Sequence, residues 1–159
     1  MQFDKLTTRA QEALQAAQRI ATTHRHQQLE NEHVLAAVLE QDDGIVPSLV
    51  RAMGADPAQL RTKTQNLIDK IPAVHGAESQ LYLSAELKET FDAAVSRARD
   101  FKDEYISIEH IFLAMVEQKR GAVAAIFKEA GINKLNVRKQ LEELRGPHRV
   151  TDQDPESKY

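Results

Sequence analysis

Apolar residues recur at three- and four-residue intervals along almost the whole chain, which is the period of amphipathic helices. Over 8–23 the stripe is Ala10, Ala13, Leu14, Ala17 and Ala21, and the Thr7-Thr8 pair supplies an N-cap hydroxyl. Val34, Leu35, Val38 and Leu39 predict a short second helix closed by Asp42-Asp43-Gly44. A third spans 45–53 and stops at Gly54, a C′ glycine. Asp56-Pro57 reads as an N-cap followed by an N1 proline and opens a fourth helix with Leu60, Leu67 and Ile71; Pro72 lies just past its end. The stretch 73–80 contains Gly76, has no period and reads as a linker. The same order then returns. Ser84 caps a helix with Leu87, Phe91, Ala94, Val95 and Ala98, and Ser107 caps a short one with Ile111, Phe112 and Met115. Gly121 opens a helix over 122–130 that Gly131 stops, and Asn133 caps the last, with Leu135, Val137, Leu141 and Leu144. Strand signal is negligible, because the alternation over 105–108 is too short for a sheet.

The return is a repeat in sequence as well as in pattern. Residues 6–67 match 83–144 at a constant offset of 77 without a gap. Glu32-His33 falls on Glu109-His110, Glu40-Gln41 on Glu117-Gln118, Gly44 on Gly121 and Gly54 on Gly131. The fold expected is all-α: two tandem four-helix repeats packed as a pseudo-twofold eight-helix domain over 1–145. Repeat one covers about 1–72, the linker about 73–80 and repeat two about 81–145. A seam between repeats is a natural place for a binding site. Past Arg145 the composition changes: 146–159 carries two prolines, charges of both signs and Val150 as its one aliphatic residue. Such a segment is expected to be a flexible linker.

Composition narrows function by exclusion. A net charge of −3 gives no field to recruit nucleic acid or an anionic membrane, and 5% aromatics without Trp offer no stacking platform for bases. No cysteine is present, which excludes thiolate nucleophiles and Cys-based zinc sites and fits a cytoplasmic location. The first residues carry no apolar signal region, and no window approaches a membrane span. P-loop, GxGxxG, HExxH, GxSxG and EF-hand patterns are all missing. His33 and His110 occupy matching positions and could suggest a metal site. The plainer explanation is that each follows a Glu in the first turn of a repeated helix, and tetrahedral zinc needs more ligands nearby. The run Arg97, Arg99, Lys102, Asp103, Glu104 reads as a solvated helix end with a turn.

The doubled pattern Leu6-Thr7, Ala10-Gln11, Ala13-Leu14, Ala17, then Glu32-His33-Val34-Leu35, Leu39, Gly44, Leu49, Gly54 resembles the Clp N-terminal domain family. The run 105–114 is similar to that family's second repeat, and 149–159 looks like the segment leading into the first ATPase module of its disaggregase branch. What the resemblance implies is a domain that captures unfolded or aggregated polypeptides and passes them to a homohexameric AAA+ ring. It implies no cofactor in this chain, with ATP and magnesium used by the absent modules, and an Hsp70-type co-chaperone system engaged through other domains. It makes the chain no enzyme by itself. By position it marks Thr7, Asp103 and Glu109 as residues that matter for disaggregation, although Thr7 reads equally as an N-cap and Glu109 as a carboxylate favoured at a helix N-terminus. It also implies an apolar capture groove lined by Phe91 and His110, with Leu14 added as the repeat mate of Phe91; on periodicity alone Leu14 and Phe91 are core. His110 departs from the aliphatic residue common there and would add a titratable edge. Adaptor or degron docking in a protease-linked unfoldase, a metal-dependent enzyme built on His33 and His110, and a structural spacer are the alternatives.

Overall fold

The computed structural model describes residues 3–75 and 80–158. Among the described residues eight α-helices carry the fold: α1 Thr8–Thr23, α2 Asn31–Glu40, α3 Ile45–Ala52, α4 Pro57–Lys70, α5 Ala85–Asp100, α6 Ile108–Glu117, α7 Ala122–Ala130 and α8 Lys134–Arg145. The bounds of α1 and α2 map onto α5 and α6 at the offset of 77, residue for residue. The stop signals act as expected. Thr7 and Ser84 accept from the amides of Ala10 and Leu87, and Asp56 and Asn133 cap α4 and α8. Gly54 and Gly131 take positive φ just past α3 and α7, where a Cβ would be strained. Gly76, the linker's glycine, lies outside the described residues.

The two copies interlock. Each first helix packs on its own second helix, α1 on α2 and α5 on α6. The alanine stripe Ala10, Ala13, Ala17 and Ala21, all buried, lets α1 lie close against α2. Each third helix packs on its own copy and also crosses the seam, α3 onto α6 and α8, and α7 onto α2 and α4. The short extended segments cross the seam too. Strand β2, Tyr82–Leu83, leads into α5 and pairs in parallel with β1, Gln28–Leu29, of the first copy. Leu6, leading into α1, makes the equivalent parallel bridge to Ile106. The amides of Thr7 and Ser84 donate to the carbonyls of Ile106 and Leu29 at 2.9 and 3.0 Å. Neither repeat can therefore be completed without the other.

The central layer is α2 and α6, each with eight of its ten residues buried. Phe112 and Phe127 meet edge to face, with ring centroids 5.7 Å apart.

The segment after Arg145, expected as a flexible linker over 146–159, lies against the body over 148–156. Val150 is 0% exposed, its carbonyl accepts from the amide of Glu104 at 2.7 Å, and the carbonyl of Gln153 accepts from the amide of Thr8 at 2.7 Å. A composition too polar to form a core of its own still docks where backbone and side-chain partners are waiting for it.

Phe112→Ala should cost about 3–5 kcal/mol, whereas Phe3→Ala, at a residue 55% exposed, should stay within about 0.5 kcal/mol. Urea unfolding followed by helix circular dichroism reports both, and equal losses would show that the seam core is misplaced.

Candidate functional site

Because α2 and α6 are buried from their first residue, their N-terminal amides need partners inside the protein. His33 and His110 supply them. Each sits at the third helical position, and its Nδ1 accepts from the backbone amide of the N-cap residue, Glu30 or Ser107, at 2.9 Å in both cases. With Nδ1 accepting, the ring proton sits on Nε2, which must find an acceptor of its own.

The two copies answer this differently. In the second, His110 Nε2 donates to Asp103 Oδ2 at 2.7 Å. Asp103 Oδ1 also accepts from Arg145 Nη2 at 2.7 Å and from the amide of Val150 at 2.8 Å. Arg145 Nε lies 3.4 Å from Glu109 Oε2, and its guanidinium stands 5.1 Å from the centre of the Phe101 ring. The side chains of Asp103, Glu109 and His110 are fully buried. Burial opposes ionisation of Asp103, but the hydrogen bonds from His110, Arg145 and Val150 together hold its carboxyl below the usual range.

In the first copy, His26 replaces Asp103 and Ile68 replaces Arg145. His33 Nε2 donates to His26 Nδ1 at 2.8 Å, and His26 Nε2 donates to the carbonyl of Ile71 at 3.2 Å. Both rings are neutral in this chain of bonds. An added proton would set a donor against the amide of Glu30 or the other imidazole. Burial first, then the neighbouring His26 and His24, pushes the His33 ring down to about 4, and burial with His24 lowers His26 as well. Asp69 stands 3.7 Å from His24 Nε2, outside this pair.

Of the residues singled out from sequence, Asp103, Glu109 and His110 come together in one network. Thr7 approaches it at the end of α1, where its hydroxyl donates to Glu156 Oε1 at 2.8 Å. Burial raises the Glu156 carboxyl, opposed by the Thr7 hydroxyl and by the amides of Glu156 and Ile108. Leu14 and Phe91 do not join. They are 4% and 2% exposed in the core, so they line no open groove, and neither does the fully buried His110. Asp103, read as part of a solvated turn, points inward, because the turn after α5 takes a positive φ at Lys102 and directs the next side chain under α6. Sequence reasoning missed Arg145, Val150, Glu156 and the His26–His33 pair. The signal was present in the repeat alignment, where an Arg stands opposite a core Ile and an Asp opposite a His.

Among the described residues, a small cleft opens on the seam between α1, α3, α6 and α8, lined by Arg9, Gln41, Ile45, Ile108, Leu144 and Glu156. Leu144 is 40% exposed there, and an Arg9–Asp43 ion pair of 3.1 Å stands at the rim. Among the described residues no group of three or more histidines or carboxylates is arranged to hold a metal ion, and no helix is long and apolar enough to cross a membrane.

The fold and this site define a duplicated all-helical domain that presents surfaces and keeps its polar centre inside. The chain belongs to the Clp repeat N-terminal domain family, whose model matches residues 5–130. It is 36% identical over its whole length to the chaperone protein ClpB of Bacillus anthracis, and 36% over 97% of its length to that of Bdellovibrio bacteriovorus. It spans about a fifth of the length of these relatives, 19% and 18%. Among solved structures, the Hsp104 N-terminal domain from Candida albicans superposes with a TM-score of 0.85 at 24% identity, covering 96% of this chain and 99% of that one. A ClpV N-domain in complex with a VipB peptide gives a TM-score of 0.70 at 19% identity over 87% and 86% of the two chains.

Stability should fall as pH falls from about 6.5 toward about 4, because the unfolded chain takes up protons that the His26–His33 pair refuses. For one such ring the slope approaches 1.4 kcal/mol per pH unit, roughly the cost of a unit pKa shift. Glu32 and Glu156, both raised by burial, act in the opposite sense. The measurement is therefore the difference between the unmodified protein and His33→Gln, which retains an acceptor for the Glu30 amide. Urea unfolding at pH 7 and 5.5 should show a shallower loss in the variant; identical losses would remove the pair as the cause.

Proposed function

We propose that this domain captures exposed apolar segments of unfolded or aggregated proteins for a ClpB-type cytoplasmic disaggregase, and that the seam cleft is where they bind. The observation that carries this is the match of this whole chain to one end of ClpB chaperones about five times its length, joined to an open cleft on the seam between the copies. In this proposal the remaining four-fifths of the protein supplies a homohexameric AAA+ ring using ATP and magnesium, and other domains engage an Hsp70-type system. The domain itself hydrolyses nothing.

The physics suits such a task. Native proteins hide their apolar stretches, and aggregates expose them. Leu144 supplies the exposed apolar area of the cleft, with Ile45 and Ile108 buried beneath it, so each client segment gains only about 25 cal/mol per Å² over a small patch, less the cost of ordering it. Binding is weak and indifferent to sequence, as release to a ring requires, and six copies would restore avidity. The rim charges of Arg9 and Asp43 are paired with each other and impose no net sign on the client.

A second use, docking of a folded adaptor or degron as in a ClpA- or ClpC-type unfoldase, is favoured by the likeness to the N-terminal domain of a protease-associated chaperone, ClpD from Arabidopsis thaliana, at a TM-score of 0.68 and 23% identity.

The test is an amide-shift titration with a permanently unfolded protein. Shifts should cluster at the cleft residues Arg9, Gln41, Ile45 and Leu144. Leu144→Ser should weaken binding about tenfold, the equivalent of roughly 1.4 kcal/mol of lost apolar contact, with helix content unchanged. Shifts confined to other faces would move the site. Binding to a dedicated folded adaptor and not to unfolded chains would select the second use.

A further inference from the structure

The polar network has a feature that client capture does not call for: Asp103, Arg145 and the neighbouring Thr7 each bond the C-terminal segment. Arg145 Nη2 donates to the carbonyl of His148 at 3.1 Å as well as to Asp103. Asp103 Oδ1 receives the amide of Val150 at 2.8 Å, and the carbonyl of Val150 receives the amide of Glu104 at 2.7 Å. Farther along, the carbonyl of Gln153 takes the amide of Thr8, the first residue of α1 and a donor with no partner inside its own helix. Gln153 Nε2 donates to the carbonyl of Asp4 at 3.3 Å, and Glu156 takes the hydroxyl of Thr7 at 2.8 Å. Glu109 completes the set by pairing with Arg145.

The first copy shows what is specific to this arrangement. Its equivalent centre, His26 and His33, satisfies the buried helix end without any carboxylate, and Ile68 fills the position of Arg145. The chain that follows the first copy is held by a neutral bond from His26 Nε2 to the carbonyl of Ile71 at 3.2 Å and by a backbone bond, Val74 amide to Arg25 carbonyl at 2.9 Å. Helix capping and packing therefore need neither Asp103 nor Arg145. The second copy carries them where a following segment must have its amide at Val150 accepted and its carbonyl at His148 bound.

We propose that Thr7, Asp103, Glu109 and Arg145 form an intramolecular docking site whose ligand is the segment 148–156, and that this latch fixes the direction in which the chain leaves the domain. The four residues hold their own chain. They are not contacts for a client. Because Glu156 also lines the seam cleft, the latched segment is one of its walls, and release of the latch would open that wall. The latch goes beyond the client reading and stands without it.

The chain has no cysteine, so Lys158→Cys can carry a single nitroxide label. In the otherwise unmodified protein the label should broaden the amides of Asp4, Leu6 and Thr8. Glu156→Gln, Thr7→Val and Asp103→Asn should each relieve that broadening, and the exchange rate of the Thr8 and Val150 amides should rise at least about tenfold while core amides of α6 stay protected. If Asp103→Asn unfolds, the Thr7 and Glu156 variants, which touch the segment at the surface end of the latch, decide alone. The proposal is overturned if the unmodified protein shows no broadening, or if the variants keep it. Titration of the same variants with an unfolded protein separates the two ideas: relieved broadening with client binding still present leaves both standing, whereas unrelieved broadening with client binding lost would make these residues client contacts.

Discussion

A helix that begins inside a protein must satisfy its first amides there, and that requirement organises this domain. α2 and α6 form the central layer, and water does not reach their N-termini. A histidine at the third position meets the need through Nδ1, but it then owns a proton on Nε2 that has to be placed. Each copy must provide a buried acceptor seven residues earlier, and a turn that swings that acceptor under the helix. Arg25 and Lys102, at matching positions, both take positive φ, near 60°, to make the turn. The local strain recurs because the constraint recurs.

What distinguishes the copies is the acceptor. An imidazole at 26 closes the chain of hydrogen bonds with two neutral rings and ends it on a carbonyl. A carboxylate at 103 cannot end the chain, because a buried negative charge needs more donors than one histidine provides. Arg145 and the amide of Val150 supply them, and Arg145 in turn draws in Glu109 and the face of Phe101. A single change of residue type at one position of the repeat thus brings a cation, a second carboxylate and a length of backbone after it.

The elements were legible in the sequence because their signals are local. Periodic alanines, N-cap hydroxyls and stop glycines act within one or two turns, and the offset of 77 announced the doubled architecture. The crossing of α3 and α7 over the seam was not legible, since an apolar face does not say which apolar face it meets. The two-residue strands were too short to carry a pattern. Leu14 and Phe91 show the same limit: stripe residues of a first helix, they point at the neighbouring helix and not at a groove, and only packing tells these apart. Thr7, Asp103 and Glu109 were picked out together, yet their grouping depends on Arg145 and Glu156, residues whose own neighbours in sequence suggest a frayed helix end and a polar tail. Composition predicts whether a segment can build a core, and it is silent on whether a core has prepared a place for that segment.

Buried ion pairs are weak grounds for stability, because desolvation offsets most of the attraction between the charges. The first copy confirms that this fold does not require one: at the positions of Asp103 and Arg145 it has a histidine and an isoleucine, and its four helices begin at the same places, although α4 runs two residues past the point equivalent to the end of α8. A costly arrangement confined to one of two equivalent sites calls for a cause confined to that site. The first copy's centre reaches its following chain at one carbonyl, that of Ile71, whereas the second must hold both a carbonyl, at His148, and an amide, at Val150, of the segment after α8. That segment presents carbonyls and amides of a fixed backbone, which a carboxylate and a guanidinium can read by direction, as an apolar contact cannot. Val150, fully buried, gives the same contact an apolar anchor. The asymmetry between the copies is thus an asymmetry in what each must hold, and the charged centre of the second copy is matched to the chain that leaves it.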